Sequence, residues 1–236
     1  SPEGSSCRGA CTRQLAHGTV VTLTATAAIS STFSGWQGAC TGNTPICALT
    51  MASAKAVTAT FTLNQFALTV TKGGKGAGAV TSIPAGLTCG LTCTQTFSYG
   101  TQVTLTATAA DHSTFSGWQG ACAGNQPTCT LTTNASQQVT ATFTLNQYTL
   151  TVIPQGNGHG LVTSRPSGIT CGITCTVTLD YGAAITLTAN ALTDTLFTGW
   201  QGACSGASPT CVVSLAADTV VAATFPLKQY ALTVDQ

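Results

Sequence analysis

The sequence predicts an all-β chain of three tandem, small, disulfide-stapled repeats with a period of 82 residues. Three observations support this fold class: a tryptophan-containing block occurs three times, the cysteines superpose under the same shift, and the intervening segments alternate apolar with polar residues. Each repeat is near the lower size limit for a self-sufficient core. The junctions between repeats contain no flexible Gly/Ser linker, so we expect an elongated rod.

The middle repeat illustrates the order of elements. An alternating strand carries Phe66, Leu68 and Val70 on one face, and a glycine-rich turn follows it. A short strand at 79–83 leads to the first cysteine pair, and the clearest strand, at 103–109, places threonines opposite apolar residues. After the tryptophan block and the second cysteine pair, an alternating strand around 139–143 closes the repeat. No helical periodicity of useful length is present, so we predict a mostly antiparallel β unit.

The tryptophan block contains the only tryptophans of the chain, Trp36, Trp118 and Trp200. Each lies between two glycines and four residues before a cysteine. The glycines permit close backbone approach to a large apolar side chain. We therefore interpret the tryptophans as core residues packed near a disulfide. The alternative is that they form exposed platforms for sugar rings.

The twelve cysteines form four columns, each with one member per repeat. The columns are Cys7, Cys89 and Cys171; Cys11, Cys93 and Cys175; Cys40, Cys122 and Cys204; and Cys47, Cys129 and Cys211. An even, register-locked set is typical of an oxidising compartment. Three pairings per repeat are open, of which we favour the two local ones, first with second and third with fourth. Zinc is the less favoured alternative because the spacings lack a C-x2-C knuckle and no histidine column accompanies them.

The composition excludes several functions. Only 6% of residues are charged and the formal net charge is +1, which argues against a nucleic-acid binder. No apolar run approaches the roughly 20 residues of a membrane span, and we take the numbering to describe a mature, exported chain without a signal peptide. Histidines and acids vary among the copies, His17 aligning with Tyr99 and Tyr181. No carboxylate pair or nucleophile elbow recurs, so we expect no enzyme activity, no cofactor and no metal.

The combined order of motifs resembles a known family. The C-G-x-x-C loops that begin at Cys89 and Cys171, the following V-T-L-T-A or related strand, the F-x-G-W-x-G-x-C block and the closing V-T-A-T-F are similar to the divergent internalin B-type repeats of bacterial cell-surface and secreted proteins. This resemblance covers essentially the whole chain. It implies an extracellular β-repeat module, related to β-grasp-like folds, that serves as a stalk, spacer or adhesive array and has no catalytic residues. Arg8 departs from the glycine of the first cysteine loop.

The repeat boundaries predict an incomplete first copy. We place the repeats at 1–64, 65–146 and 147–228, the first without its opening strand, and an orphan strand at 229–236. Tyr230-Ala231-Leu232-Thr233-Val234 repeats the opening strand of the middle copy. Pro226 and Lys228 replace Thr144 and Asn146, which marks this last junction as different. We expect Leu227, Tyr230, Leu232 and Val234 to belong to a donor strand, extending over about 227–236, that inserts into the first repeat of another copy.

Two functions follow from this organisation. The first is a structural subunit of an extracellular bacterial filament, a head-to-tail homopolymer whose partners are copies of itself. The alternative is a stalk or glycan-binding segment of a longer cell-surface adhesin, in which case the ends of the chain merely fall inside a hairpin. In both cases we expect a secreted or surface location, without nucleic-acid partners or a membrane span.

We predict that all twelve cysteines are oxidised within their own repeats. Each bond closes a short loop and stabilises the repeat by about 2–3 kcal/mol through loss of loop entropy in the unfolded chain. Peptide mapping of the non-reduced protein by mass spectrometry should recover only the local pairs. Free thiols, or peptides linked between repeats, would contradict this pairing.

Overall fold

The computed structural model of the chain describes residues 6–90, 92–173 and 175–235. Gln236, the last residue of the predicted donor strand, lies outside these ranges. The described residues contain no helix, and twenty strands account for all their regular structure, so the all-β prediction is confirmed. The strands follow the 82-residue period of the sequence.

The first repeat contains four strands: β1 (Val20–Thr24), β2 (Ser31–Gly38), β3 (Ile46–Thr50) and β4 (Val57–Leu63). The second contains eight: β5 (Gln65–Gly73), β6 (Gly78–Ile83), β7 (Thr88–Cys89), β8 (Thr92–Ser98), β9 (Gln102–Ala109), β10 (Ser113–Gly120), β11 (Thr128–Thr132) and β12 (Gln137–Leu145). The third contains the matching eight: β13 (Gln147–Gln155), β14 (Gly160–Arg165), β15 (Thr170–Cys171), β16 (Cys175–Asp180), β17 (Ala184–Ala191), β18 (Gly199–Gly202), β19 (Thr210–Ser214) and β20 (Thr219–Thr224).

Both eight-stranded repeats are built from two four-stranded sheets. In the second repeat the strand orders are β10-β12-β5-β8 and β11-β9-β6-β7, and the third repeat has the same orders in its own strands. The opening strand β5 is internal: it pairs in parallel with the closing strand β12 and antiparallel with β8. The parallel pair is an exception within an otherwise antiparallel arrangement, and it recurs between β13 and β20.

The two sheets of the third repeat share one hydrophobic core. Its buried members come from both sheets and from the loops after β14, β18 and β19, and they include Leu150 and Val152 of β13 and Ile185 and Leu187 of β17. Alternate residues of each strand point inward, as their apolar–polar alternation requires. The repeat is therefore a two-layer sandwich whose opening strand contributes central core side chains.

Contacts between Cα atoms divide the chain into two compact units. One comprises the chain up to Gly73 together with Ala79–Thr108 and Phe115–Thr142, and the other comprises Gly74–Gly78, Ala109–Thr114 and the chain from Phe143 onward. The first unit contains the first repeat and most of the second, whereas the other contains the third repeat and one end of the second. The division into three repeats and a donor segment therefore stays a prediction at the level of compact units.

The tryptophan of each block makes the same hydrogen bonds in all three copies. Each indole N–H donates a hydrogen bond of 2.9 Å to the carbonyl oxygen eight residues later, in Thr44, Gln126 or Ser208. Each tryptophan backbone N–H donates to the glycine carbonyl six residues later, at 2.7–2.9 Å. None of the three tryptophans is more than 9% exposed. Rings buried to this degree present no flat face to a sugar.

Six disulfides join cysteines within the repeats. They connect Cys7 with Cys11, Cys40 with Cys47, Cys89 with Cys93, Cys122 with Cys129, Cys171 with Cys175, and Cys204 with Cys211. All are the local pairs, separated by four or seven residues. The longer loop begins directly after the tryptophan block, so it fixes the segment whose carbonyls receive the indole and tryptophan backbone N–H groups.

We predict that Gly120→Ala destabilises the second repeat more than Gly124→Ala. Both glycines have positive φ, +91° and +100°, so alanine at either position costs about 1–2 kcal/mol of backbone strain. A Cβ at Gly120 would also collide with the carbonyl oxygen of Gln138, whereas a Cβ at Gly124 would meet nothing within 4 Å. Native-state hydrogen exchange of β12 amides measures the opening free energy of this repeat. Equal losses in the two variants would contradict the proposed close approach.

We also predict little quenching of tryptophan fluorescence by iodide in the folded protein, because the three indoles are buried. The reduced and denatured chain, in which the same rings are exposed, serves as the matched reference. Quenching of the native protein at the rate of the denatured chain would restore the sugar-platform interpretation.

Candidate subunit interface

In the second and third repeats the opening strand occupies a site, called the seat below, between two strands of its sheet: β12 and β8 in the second repeat, β20 and β16 in the third. Leu68 and Val70 of β5 are completely buried, as are Leu150 and Val152 of β13. The hydrogen-bond ladder on one side of β5 runs to β12, with Leu68 opposite Gln137 and continuing to Gly73 opposite Thr142. On its other side β5 pairs with β8 from Gln65 to Thr71. An opening strand therefore completes both the core and one sheet.

The first repeat has this seat but no strand in it. Its described residues form only two two-stranded sheets, β1 with β3 and β2 with β4. Phe61 of β4 is 41% exposed, whereas the equivalent Phe143 and Phe225 are 0% and 1% exposed. Val57 and Ala59 are half-buried, although Val139 and Ala141 at the same places in β12 are buried. The free edge of β4 is thus bordered by apolar side chains that the other two copies cover.

Residues 10–16 correspond to β8, and in the first repeat they form no strand. Leu15 is half-buried there, whereas the equivalent Phe97 of β8 is buried. The disulfide between Cys7 and Cys11 closes a local loop at the beginning of this segment.

The segment after the third repeat has the sequence of an opening strand and no place in a sheet. Residues 229–235 have no strand structure. Tyr230, Leu232 and Val234 are 80%, 90% and 79% exposed, whereas Leu68 and Val70, the equivalents of the last two, are fully buried. Three apolar side chains at alternate positions are therefore presented to solvent on one edge of an extended chain.

The backbone of Leu227 is bonded to the third repeat, and its place in a donor strand stays a prediction. Its backbone N–H donates to Asn157 Oδ1 at 3.0 Å, and it forms an isolated antiparallel bridge with Thr195. The next residue, Lys228, donates its backbone N–H to the carbonyl oxygen of Asp194 at 2.8 Å. These bonds anchor the chain through Lys228, so the segment available for insertion begins at Gln229.

Asparagines form the two complete junctions between repeats. The backbone N–H of Asn64 donates to Ser30 O at 2.9 Å, and its carbonyl accepts from Tyr99 N at 2.7 Å. Asn146 makes the same two bonds, with His112 O at 2.9 Å and Tyr181 N at 2.8 Å. The side-chain oxygens accept from Thr32 and Thr114 at 2.6 and 2.8 Å. Both asparagines follow a leucine at the 82-residue spacing, and this recurrence is the sequence signal that identifies them.

Charge and ring contacts distinguish the second junction. The rings of His112 and Tyr181 are stacked, with centroids 3.8 Å apart and planes 7° apart. Asp180 accepts a hydrogen bond from Gln147 Nε2 at 3.0 Å and lies 3.6 Å from Lys75 Nζ. The hydrogen bond from Gln147 is the main cause that lowers the pKa of the Asp180 carboxyl. Desolvation opposes it, and the charge and hydrogen bond of Lys75 add to the lowering.

No three histidine, cysteine, aspartate or glutamate side chains among the described residues are grouped so that they could hold a metal ion. Within the same ranges, no helix has the length and apolar character that crossing a membrane requires.

Solved structures with a similar arrangement of strands share little sequence with this chain. The Bacillus anthracis TIE protein matches 88% of the chain at 6% identity with a TM-score of 0.43, and the chain spans about half (51%) of that protein's length. A C-terminal fragment of the pilus adhesin SpaC from Lactobacillus rhamnosus GG matches 72% of the chain, and all of its own length, at 11% identity and a TM-score of 0.35. The major pilin T-13 of Streptococcus pyogenes matches 70% of the chain and 97% of its own length, at 9% identity and a TM-score of 0.30. TM-scores below 0.5 do not establish a shared fold, so function has to be argued from the chain's own residues.

A search of curated proteins found no significant match. A family model does match, and it does so in three tandem segments, at residues 2–65, 68–147 and 148–229. That model describes the divergent InlB B-repeat domain. The segments cover nearly the whole chain and agree with the 82-residue period, so the chain belongs to the divergent InlB B-repeat family.

Proposed function

We propose that this protein is a structural subunit of an extracellular filament that assembles head to tail. In this assembly, the segment from Gln229 onward of one copy enters the seat between β4 and residues 10–16 in the first repeat of the next copy. The observation that carries the proposal is the match between an open apolar seat and an exposed strand whose sequence fills the equivalent seats elsewhere in the chain.

The two filled seats define the register of the inserted strand. In the second repeat Leu68 lies opposite Gln137 and Val70 opposite Val139, and in the third repeat Leu150 lies opposite Thr219 and Val152 opposite Val221. The same register places Leu232 opposite Lys55 and Val234 opposite Val57 of the next copy, parallel to β4. Tyr230, Leu232 and Val234 then occupy the positions of Phe66, Leu68 and Val70.

Insertion buries apolar surface on both partners. Transfer of Tyr230, Leu232 and Val234 from water contributes about 5–9 kcal/mol before the costs of association, at about 1.5–3 kcal/mol for each side chain. Val57 and Ala59, which are half-buried, gain cover as well. Ladder hydrogen bonds on both sides of the strand supply direction and register. Because the two contact surfaces lie on different repeats, the contact is heterologous, and such contacts produce filaments when they do not close into a ring.

The extracellular location rests on the disulfides and on the family. Six disulfides in small repeats persist in oxidising surroundings and are rare in reducing ones. The low content of charge leaves little electrostatic repulsion between copies. A structural role, without catalysis, agrees with a chain whose titratable residues differ from copy to copy.

We predict that the oxidised full chain forms filaments and that deletion of 229–236 leaves a folded monomer. Leu232→Asp should also abolish assembly, because its equivalents Leu68 and Leu150 are fully buried. Gln229→Asp is the matched control: it adds the same charge to the same segment at a position whose equivalents, Gln65 and Gln147, are exposed. Sedimentation and negative-stain electron microscopy report assembly, and circular dichroism reports folding.

A peptide of residues 229–236 should bind the truncated chain at a ratio of one to one and protect amides of 55–59 from hydrogen exchange. The proposal is wrong if the truncated chain still polymerises, or if the intact chain stays monomeric at high concentration and the peptide does not bind. A chain that stays monomeric would instead favour the alternative, a stalk or glycan-binding segment of a longer cell-surface adhesin.

A further inference from the structure

The exposed end of the third repeat is built like the first half of a junction. In the two complete junctions, the residue that follows the closing leucine donates its backbone N–H to the carbonyl of Ser30 or His112. Lys228 makes the same bond to Asp194 at 2.8 Å. Asp194 has a φ of +59°, and His112 has a φ of +58°. The two side chains therefore leave equivalent backbone positions in the same conformation.

The second half of each complete junction comes from the following repeat. Tyr99 and Tyr181 donate their backbone N–H groups to the asparagine carbonyl, and their rings lie 6.4 Å from Phe66 and Tyr148. The ring of Tyr181 also covers His112 at 3.8 Å. In the first repeat the residue at this position is His17, which is exposed. The equivalent pair at a contact between copies is therefore Asp194 of one copy and His17 of the next.

Resting on the proposed filament, we infer that Asp194 and His17 form a complementary pair that selects this end-to-end contact. The His17 backbone N–H takes the place of Tyr181 and donates to the Lys228 carbonyl, and Tyr230 packs against the imidazole. The Asp194 carboxylate, in the place of the His112 ring, lies against the face of that imidazole, because the two rings that they replace are stacked. The negative charge of the carboxylate is attracted to a protonated imidazole at this distance.

The pair of Asp194 and His17 differs in charge from the equivalent pairs inside the chain. This difference allows it to select the contact between copies. The internal junctions combine Ser30 with Tyr99 and His112 with Tyr181, neither of which brings opposite charges together at this place. Only the contact between copies combines an acid with a base. The equivalent positions Tyr99, Tyr181 and His17 thus differ in their side chains, while the backbone hydrogen bond of each to the preceding repeat is the same in this arrangement. Such differences favour correct end-to-end pairing over pairing with an internal repeat.

Charge exchange at pH 6.0 tests the pair. His17→Asp places two carboxylates at the contact, and Asp194→Lys places two cations there. Each variant should raise the critical concentration for assembly at least fivefold, while circular dichroism stays that of the folded chain because both residues are exposed. Asp111→Lys, an equal charge change at an exposed position outside the contact, should leave it within twofold.

Mixing supplies the decisive measurement. In an equimolar mixture, the acceptor end of the His17→Asp variant meets the donor end of the Asp194→Lys variant, so a carboxylate faces an ammonium group. The remaining contacts are the natural pair. The mixture should therefore assemble as an alternating copolymer within twofold of the natural critical concentration, as should the double variant His17→Asp with Asp194→Lys.

The outcomes separate this inference from the proposed filament. If the natural chain polymerises and the single variants assemble equally well, the pair is not at the contact and the inference fails, although the filament stands. If the single variants fail and neither the mixture nor the double variant recovers, the residues act by something other than complementarity, and the inference fails again. If the natural chain does not polymerise, both proposals fall together.

Discussion

The pairing of the opening strand with the closing strand is the interaction on which each repeat depends. β5 lies inside its sheet with ladders on both sides, and its two inward side chains are fully buried. Removing such a strand leaves a gap in the middle of a sheet and uncovers the core beneath it. The exposed phenylalanine of β4 has equivalents that are buried in the other two repeats, where their rings lie against Gly78 at the start of β6 and Gly160 at the start of β14. The described residues of the first repeat also form no counterparts of β6, β7 and β8, so its state reflects more than the absence of the opening strand.

Elsewhere in the repeat, local hydrogen bonds and disulfides compensate for the small core and the few charged residues. Each tryptophan is held by two hydrogen bonds into the adjacent loop, and the glycines around it allow carbonyls to approach where a Cβ would collide. The disulfide after the block closes that loop. Threonine pairs such as Thr69 with Thr94 and Thr104 with Thr130 link neighbouring strands on the outer faces. Short local ties thus replace the large buried area that bigger domains use.

The sequence predicted those features that an exact period reveals. Trp118, Cys122 and Cys129 recur at one spacing, so their common environment could be inferred before any coordinates were known. Strand alternation located most strands, because period two is a property of neighbouring residues. The parallel partner of β5 could not be predicted, since alternation says which face a residue occupies and not which strand lies beside it. The same limit explains Leu227: its sequence continues the donor strand, and only the bond to Asn157 shows that the third repeat retains it.

The parallel arrangement of the first and last strands has a mechanical consequence. The chain enters the second repeat at the start of β5 and leaves it at the end of β12, and these two strands are direct neighbours. Tension along the chain pulls β5 backward by its beginning and β12 forward by its end. The bonds between the registered pairs, from Leu68 with Gln137 to Gly73 with Thr142, are then loaded together in shear instead of being opened one after another. The same strand order that buries the core therefore makes each repeat resistant to a force that pulls on its two ends.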